Sequence, residues 1–105
     1  MSLRIAQITL PSEDNEGKSL AFAHKSLKLE LARTFGGFTA YETAGGWVNP
    51  EGELIEEDGT TYQVAFPLEQ MGLIVSLAHQ AGRMAHQQAV FYVVDGVAYV
   101  DNLEA

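Results

Sequence analysis

The chain has 105 residues, 47% hydrophobic and 19% charged, which is enough to bury one core and too apolar for a disordered chain, so a single domain over 1–105 is expected. Its formal net charge is -8, and between Thr34 and Gly82 there is no Lys or Arg to balance Glu42, Glu51, Glu53, Glu56, Glu57, Asp58 and Glu69. That field repels phosphate backbones and anionic membrane surfaces, so neither nucleic acid nor membrane is expected as a partner.

The absence of cysteine removes disulfides, thiolate nucleophiles and thiolate metal sites and fits a reducing compartment. No apolar run approaches the ~20 residues of a membrane span, and a cytoplasmic location is expected.

Alternation in Leu3 to Leu10 predicts a first strand, closed by Pro11. Ser12, Asp14 and Asn15 follow as candidate caps, with Glu13 and Glu16 favouring a helix start. The first helix is predicted to run to about Phe35, with Leu20, Ala23, Leu27, Leu31 and Phe35 as its apolar stripe. Gly36 and Gly37 stand where that helix needs a left-handed residue to end it.

From Phe38 the pattern turns strand-like, and Asn49 to Gly52 is a turn between two extended runs. A hairpin pivoting there places Trp47 near Ile55, Tyr41 near Thr61, and Gly45-Gly46 opposite Glu57 to Gly59. Two irregular stretches at one level predict a bulge that bends the hairpin tip away from the sheet.

After Pro67 a second helix is predicted, with Met71, Ile74, Leu77, Ala81 and Met84 on its buried side. Its Gly72 and Gly82 cost up to ~1 kcal/mol each relative to alanine, which signals either close packing or tolerance. Asp95-Gly96 then joins two β-rich runs as a two-residue hairpin turn. The order predicts an α+β, ferredoxin-like βαββαβ fold with an extra C-terminal strand and two helices on one face of an antiparallel sheet.

Sorting the strands by alternation places Ala6, Ile8, Leu10, Phe38, Ala40, Tyr62, Val64, Phe66, Phe91, Val93, Ala98 and Val100 under the helices. Thr39, Tyr41, Gln63, Tyr92 and Tyr99 are then expected on the open face with Ile5, Gln7 and Thr9. A face of Tyr, Thr, Gln and Ile rather than Lys and Glu points to a covering partner, either a second copy in a homodimer or another protein. The hairpin tip, with Trp47, Glu53, Ile55 and Glu57, is a second candidate contact region.

Catalytic signals are weak. His79, Arg83 and His86 share one side of a helix, but the arginine opposes a metal between them, and a solvated face is the simpler reading. "ELIEEDG" lacks the alternating ligands of a calcium loop. His24 reads as a partly buried core histidine. No metal, cofactor or catalytic residue is assigned.

The stretch Phe35-Gly36-Gly37 with Thr39, then Gly46-Trp47, Gly52, Glu57, Tyr62 and finally Gln88-Ala89-Val90 resembles a group of small bacterial and phage-associated proteins of unassigned function. The resemblance implies a phage or mobile-element setting and transfers no catalytic residue. Together these readings favour a non-catalytic self-associating or protein-binding module. The alternatives are a small dimeric α+β-barrel enzyme, with His24 or Tyr62 as its acid or base, and an acidic DNA mimic.

Overall fold

The computed structural model of the chain describes residues 2–103. Five strands, β1 (Arg4–Pro11), β2 (Thr39–Val48), β3 (Leu54–Phe66), β4 (Ala89–Val94) and β5 (Val97–Asn102), form one antiparallel sheet in the order β2-β3-β1-β4-β5. Helices α1 (Ala21–Phe35) and α2 (Met71–Met84) join β1 to β2 and β3 to β4, α2 after a short 3-10 turn at Leu68–Gln70. This is the expected ferredoxin-like order with an added edge strand.

Local chemistry sets several element ends as expected. Gly36 takes φ 87° and its N–H bonds the carbonyl of Ala32, ending α1 in the left-handed conformation that glycine adopts freely. Asp95 and Gly96 both have positive φ and lie between the paired Val94 and Val97, the mirror-image turn whose twist matches the strands. In the β2–β3 loop the Asn49 carboxamide oxygen accepts from the backbone N–H groups of Glu51 and Glu53 at 3.1 and 2.9 Å. Such side-chain capping of a turn is why asparagine favours these positions.

The helical stripes were legible. Ala23, Leu27 and Leu31 of α1 and Ile74, Leu77 and Ala81 of α2 are buried against Ala6, Ile8, Leu10, Val64 and Phe66 of the sheet. Phe35 packs edge-on to Phe66 with ring centres 6.2 Å apart.

Three expectations are corrected. Residues 12–20 do not begin α1: the Asp14 carboxylate accepts from the N–H groups of Glu16 and Lys18, both at 2.9 Å, and Glu13 bridges to Ser19 as an isolated pair. Capping side chains here fold a loop onto itself, the competing use of the same hydrogen bonds.

Secondly, there is no bulge at Gly45-Gly46. Pairing runs without a slip from Thr39↔Gln63 to Val48↔Leu54, with Gly45 opposite Glu57 and Gly46 opposite Glu56. Since β1 pairs with β3 only from Gly59 to Phe66, the ribbon beyond Asp58 has no third strand and projects from the sheet as an arm. One principal extent of the molecule is 49 Å against 29 and 26 Å for the others; the projection arises from unequal strand lengths and not from a kink.

Thirdly, β4 and β5 have the opposite phase. Ile8 pairs with Tyr92, and Tyr92 with Tyr99, so both tyrosines share the helix-covered face with Ile8. Tyr92 is 2% exposed, whereas Phe91 and Val100, expected beneath the helices, are 43% and 70% exposed. The run Ala-Val-Phe-Tyr-Val-Val is apolar on both sides, and pairing partners decide its phase, not alternation.

Candidate functional site

Two polar groupings sit beneath the helices. On the row Ala40–Tyr62–Ile8–Tyr92–Tyr99, the phenol of Tyr62 lies 2.5 Å from His24 Nδ1, and His24 Nε2 lies 2.7 Å from the Pro11 carbonyl oxygen. A carbonyl only accepts, so Nε2 carries a proton, and a ring with its single proton there accepts from the Tyr62 hydroxyl at Nδ1. Burial pushes the Tyr62 phenol above its ordinary pKa. His24 is thus the partly buried histidine expected, with both ring nitrogens satisfied.

In the other grouping the Tyr92 hydroxyl donates to Asp101 Oδ2 at 2.5 Å, and His79 Nε2 reaches the same oxygen at 2.8 Å. First His79 and then Tyr92 hold the Asp101 carboxyl below the ordinary carboxylate range. Burial, followed by the Asp101 hydrogen bond and charge, drives the Tyr92 pKa strongly upward. Tyr92 also stacks on Tyr99, ring centres 5.1 Å apart. His79 is therefore no solvated bystander: it ties α2 to β5. His86 lies past the end of α2, with φ 56°.

The open face keeps its expected chemistry with different members. Its rows read Val100–Phe91–Thr9–Thr61–Tyr41 and Ala98–Val93–Gln7–Gln63–Thr39, with no charged side chain in either. Thr9 and Thr61 bond at 2.6 Å, and Gln7 donates to Gln63 at 3.0 Å. Of the residues predicted here, Tyr41, Thr39 and Gln63 are in place; Tyr92 and Tyr99 are on the other side.

Where the arm leaves the sheet, the loop Ser12–Gly17 runs beside it, anchored by the Ser12 N–H to the Asp58 carbonyl at 2.9 Å. Between loop and arm lies a recess of about 650 Å³ walled by Glu13, Asp14, Asn15, Trp47, Ile55, Glu56, Glu57 and Asp58. A second recess of about 320 Å³, around Thr9, Gly45, Thr61 and Phe91, shares Glu57 and Asp58 with it. The Trp47 indole N–H donates to Glu57 at 3.3 Å. Asp14 is held below the ordinary carboxylate range, first by the Lys18 backbone N–H.

Three tip residues expected in a contact region, Trp47, Ile55 and Glu57, line the larger recess, while Glu53 lies outside it, its carboxylate bonded to Asn49. The loop wall was missed because its residues read as helix caps; the turn-forming Gly17, at φ 79°, was the available signal. Among the described residues no group of three or more His, Asp or Glu side chains is placed to hold a metal ion, and no helix is long and apolar enough to cross a membrane.

Neither a family model nor a curated protein matches the sequence. Solved structures do resemble the fold. A phage SAM lyase in complex with S-methyl-5'-thioadenosine superposes with a TM-score of 0.73 at 11% identity, covering 96% of this chain and 90% of that one. A phage SAM lyase in its apo state gives 0.69 at 14% identity, covering 97% and 90%. The likeness spans nearly the whole of both chains, and at such identity it establishes the shared fold.

Proposed function

We propose that the chain is a small enzyme acting on a cationic nucleoside of the S-adenosylmethionine type, bound in the recess between the Ser12–Gly17 loop and the arm. The observation that carries this reading is the end-to-end likeness to a lyase that binds S-methyl-5'-thioadenosine. It favours the small-enzyme alternative over the non-catalytic module.

The recess supplies suitable chemistry. Its volume, about 650 Å³, falls within the range of about 300–1,000 Å³ typical of small-ligand sites. The carboxylates of Glu13 and Glu57 suit a ligand carrying a sulfonium and an ammonium group, Trp47 suits stacking on a purine or a cation, and Ser12 and Asn15 offer hydrogen bonds to a ribose.

The charge change of the reaction assigns roles. When the sulfonium carbon–sulfur bond breaks, its electron pair goes to sulfur and a neutral thioether leaves. Carboxylates placed against the sulfonium therefore stabilise the substrate more than the transition state. In this reading they hold the ammonium and ribose ends, and rate comes from folding the ligand so that its own carboxylate lies in line with the carbon beside sulfur, a carbon–oxygen bond forming as the carbon–sulfur bond breaks and a lactone leaving with the neutral thioether.

Trp47 is the sole tryptophan, so its emission reports directly on the recess. Titration with S-methyl-5'-thioadenosine is expected to change that emission saturably, and Glu57→Ala to weaken the response. S-adenosylmethionine incubated with the protein is expected to yield the thioadenosine. No emission change and no product at ligand concentrations of about 1 mM, where even a binding free energy of about 4 kcal/mol would show, would sink the reading.

A second reading, a homodimer through the open face, is favoured by the two uncharged rows that include exposed Tyr41, Phe91 and Val100. Tyr41→Glu with Val100→Glu should then halve the solution mass; an unchanged mass removes it.

A further inference from the structure

The arm carries an apolar pair that nothing in its own chain covers. Val48 and Leu54 are paired directly across the ribbon, hence on one side of it, and are 64% and 63% exposed. They lie outside the recess assigned above, whose lining includes neither. Glu51 and Glu53 stand beside them in the turn and are exposed, and the ion pairs of the described residues include neither. A two-stranded ribbon with no third strand is marginal alone in water, and the apolar pair at its end leaves most of its surface to water in the isolated chain.

The complementary surface is present on the same chain. On the outer side of α1, Phe22 is 70% exposed and Leu29 45%. They are seven residues apart, thus on one face, with Lys25 between them and Lys28 adjoining. Both lysines are exposed, and among the described residues neither has an ion-pair partner. Arg33, farther along α1, is 3.8 Å from Glu30. Four of the six basic residues of this acidic chain, Lys18, Lys25, Lys28 and Arg33, fall within or just before α1, while the arm holds its densest acids. One molecule thus displays an acidic-rimmed apolar pair and a basic-rimmed apolar pair, both uncovered.

We propose that the arm of one copy docks through Val48 and Leu54 onto the Phe22–Leu29 face of α1 in a second copy, with Glu51 and Glu53 meeting Lys25 and Lys28. The contact joins two different surfaces, so it is head-to-tail: each molecule gives an arm and receives one, and the assembly closes into a ring if the rotation allows. The net charge of -8 opposes any association of like copies, and this pairing sets opposite charges together locally. It also makes association salt-sensitive, since exposed pairs are screened over about 10 Å at 0.1 M salt.

The test is solution mass by light scattering on a sizing column, with folding checked by circular dichroism. Wild type is expected to run at a multiple of the single-chain mass at about 0.05 M salt and to shift toward one chain at about 0.5 M. Lys25→Glu with Lys28→Glu, or Glu51→Lys with Glu53→Lys, is expected to give a single-chain mass. The four substitutions together, or the two double variants mixed, are expected to restore the larger mass, which a merely misfolded arm would not do. A single-chain wild type at low salt overturns the proposal. So does an assembly that ignores these charge reversals, including one dissociated instead by Val100→Glu on the open sheet face.

Discussion

Substituting each of the two glycines of α2 by alanine tests how closely helix and sheet approach. Both replacements bring alanine's intrinsic helix preference, worth about 0.5–1 kcal/mol over glycine. At Gly72, exposed in the first turn, an added Cβ meets nothing within 4 Å, so Gly72→Ala is expected to stabilise by about 0.5 kcal/mol. At Gly82 the same atom would lie 2.5 Å from Leu103 Cδ1 and 3.0 Å from Val90 Cβ.

The leucine tip can rotate, but Val90 Cβ is fixed by the β4 backbone, and Val90 is 2% exposed with no room behind it. Overpacking of this kind costs about 1–3 kcal/mol, which outweighs the helix gain and leaves Gly82→Ala about 1–2 kcal/mol less stable. For a domain of about 100 residues that is a fall in Tm of roughly 5–10 °C, against a rise of a few degrees for Gly72→Ala. Urea unfolding followed by far-ultraviolet circular dichroism reads both, with an unchanged slope showing that only stability moved. A Gly82→Ala variant as stable as the wild type or more so would refute the close α2–β4 approach.

Gly59→Ala should be harsher, because a Cβ there would stand 2.6 Å from the Leu10 carbonyl oxygen, and backbone cannot step aside. A loss of at least about 2 kcal/mol in the same unfolding assay is expected. Tyr62→Phe leaves His24 Nδ1 without its donor, for an expected loss of about 1–3 kcal/mol, and nitrogen-15 NMR of the wild type should show the His24 proton on Nε2.

Because Asp101 has a folded pKa below its unfolded one, its contribution is complete above about pH 4 and disappears as pH falls through the folded value. Asp101→Asn should therefore flatten the acid limb of urea midpoints measured from pH 6 downward. Tyr62 and Tyr92 have raised pKa values, so their contribution holds below about pH 10 and is lost as pH rises. Tyrosinate absorbance from these two should appear together with alkaline unfolding, not before it.

Much of this architecture is written in short-range signals. The stripes of α1 and α2, the left-handed Gly36, the Asn49 turn and the Asp95-Gly96 turn each depend on residues within one or two turns of chain. The sequence alone therefore determines the order of elements and, through the right pivot, the Trp47↔Ile55 and Tyr41↔Thr61 pairs.

What it does not determine is anything settled between distant strands. The phase of β4 depends on Ile8 meeting Tyr92, 84 positions away, and on Asp101, itself bonded by His79, being at hand to accept from the buried phenol. Likewise the arm exists because β1 stops pairing at Gly59, leaving β2 and β3 to continue alone, and the loop that completes the recess exists because Asp14 binds its own neighbours instead of capping α1. Those choices compare alternatives of similar local energy, and only the packing of the whole sheet against its helices separates them.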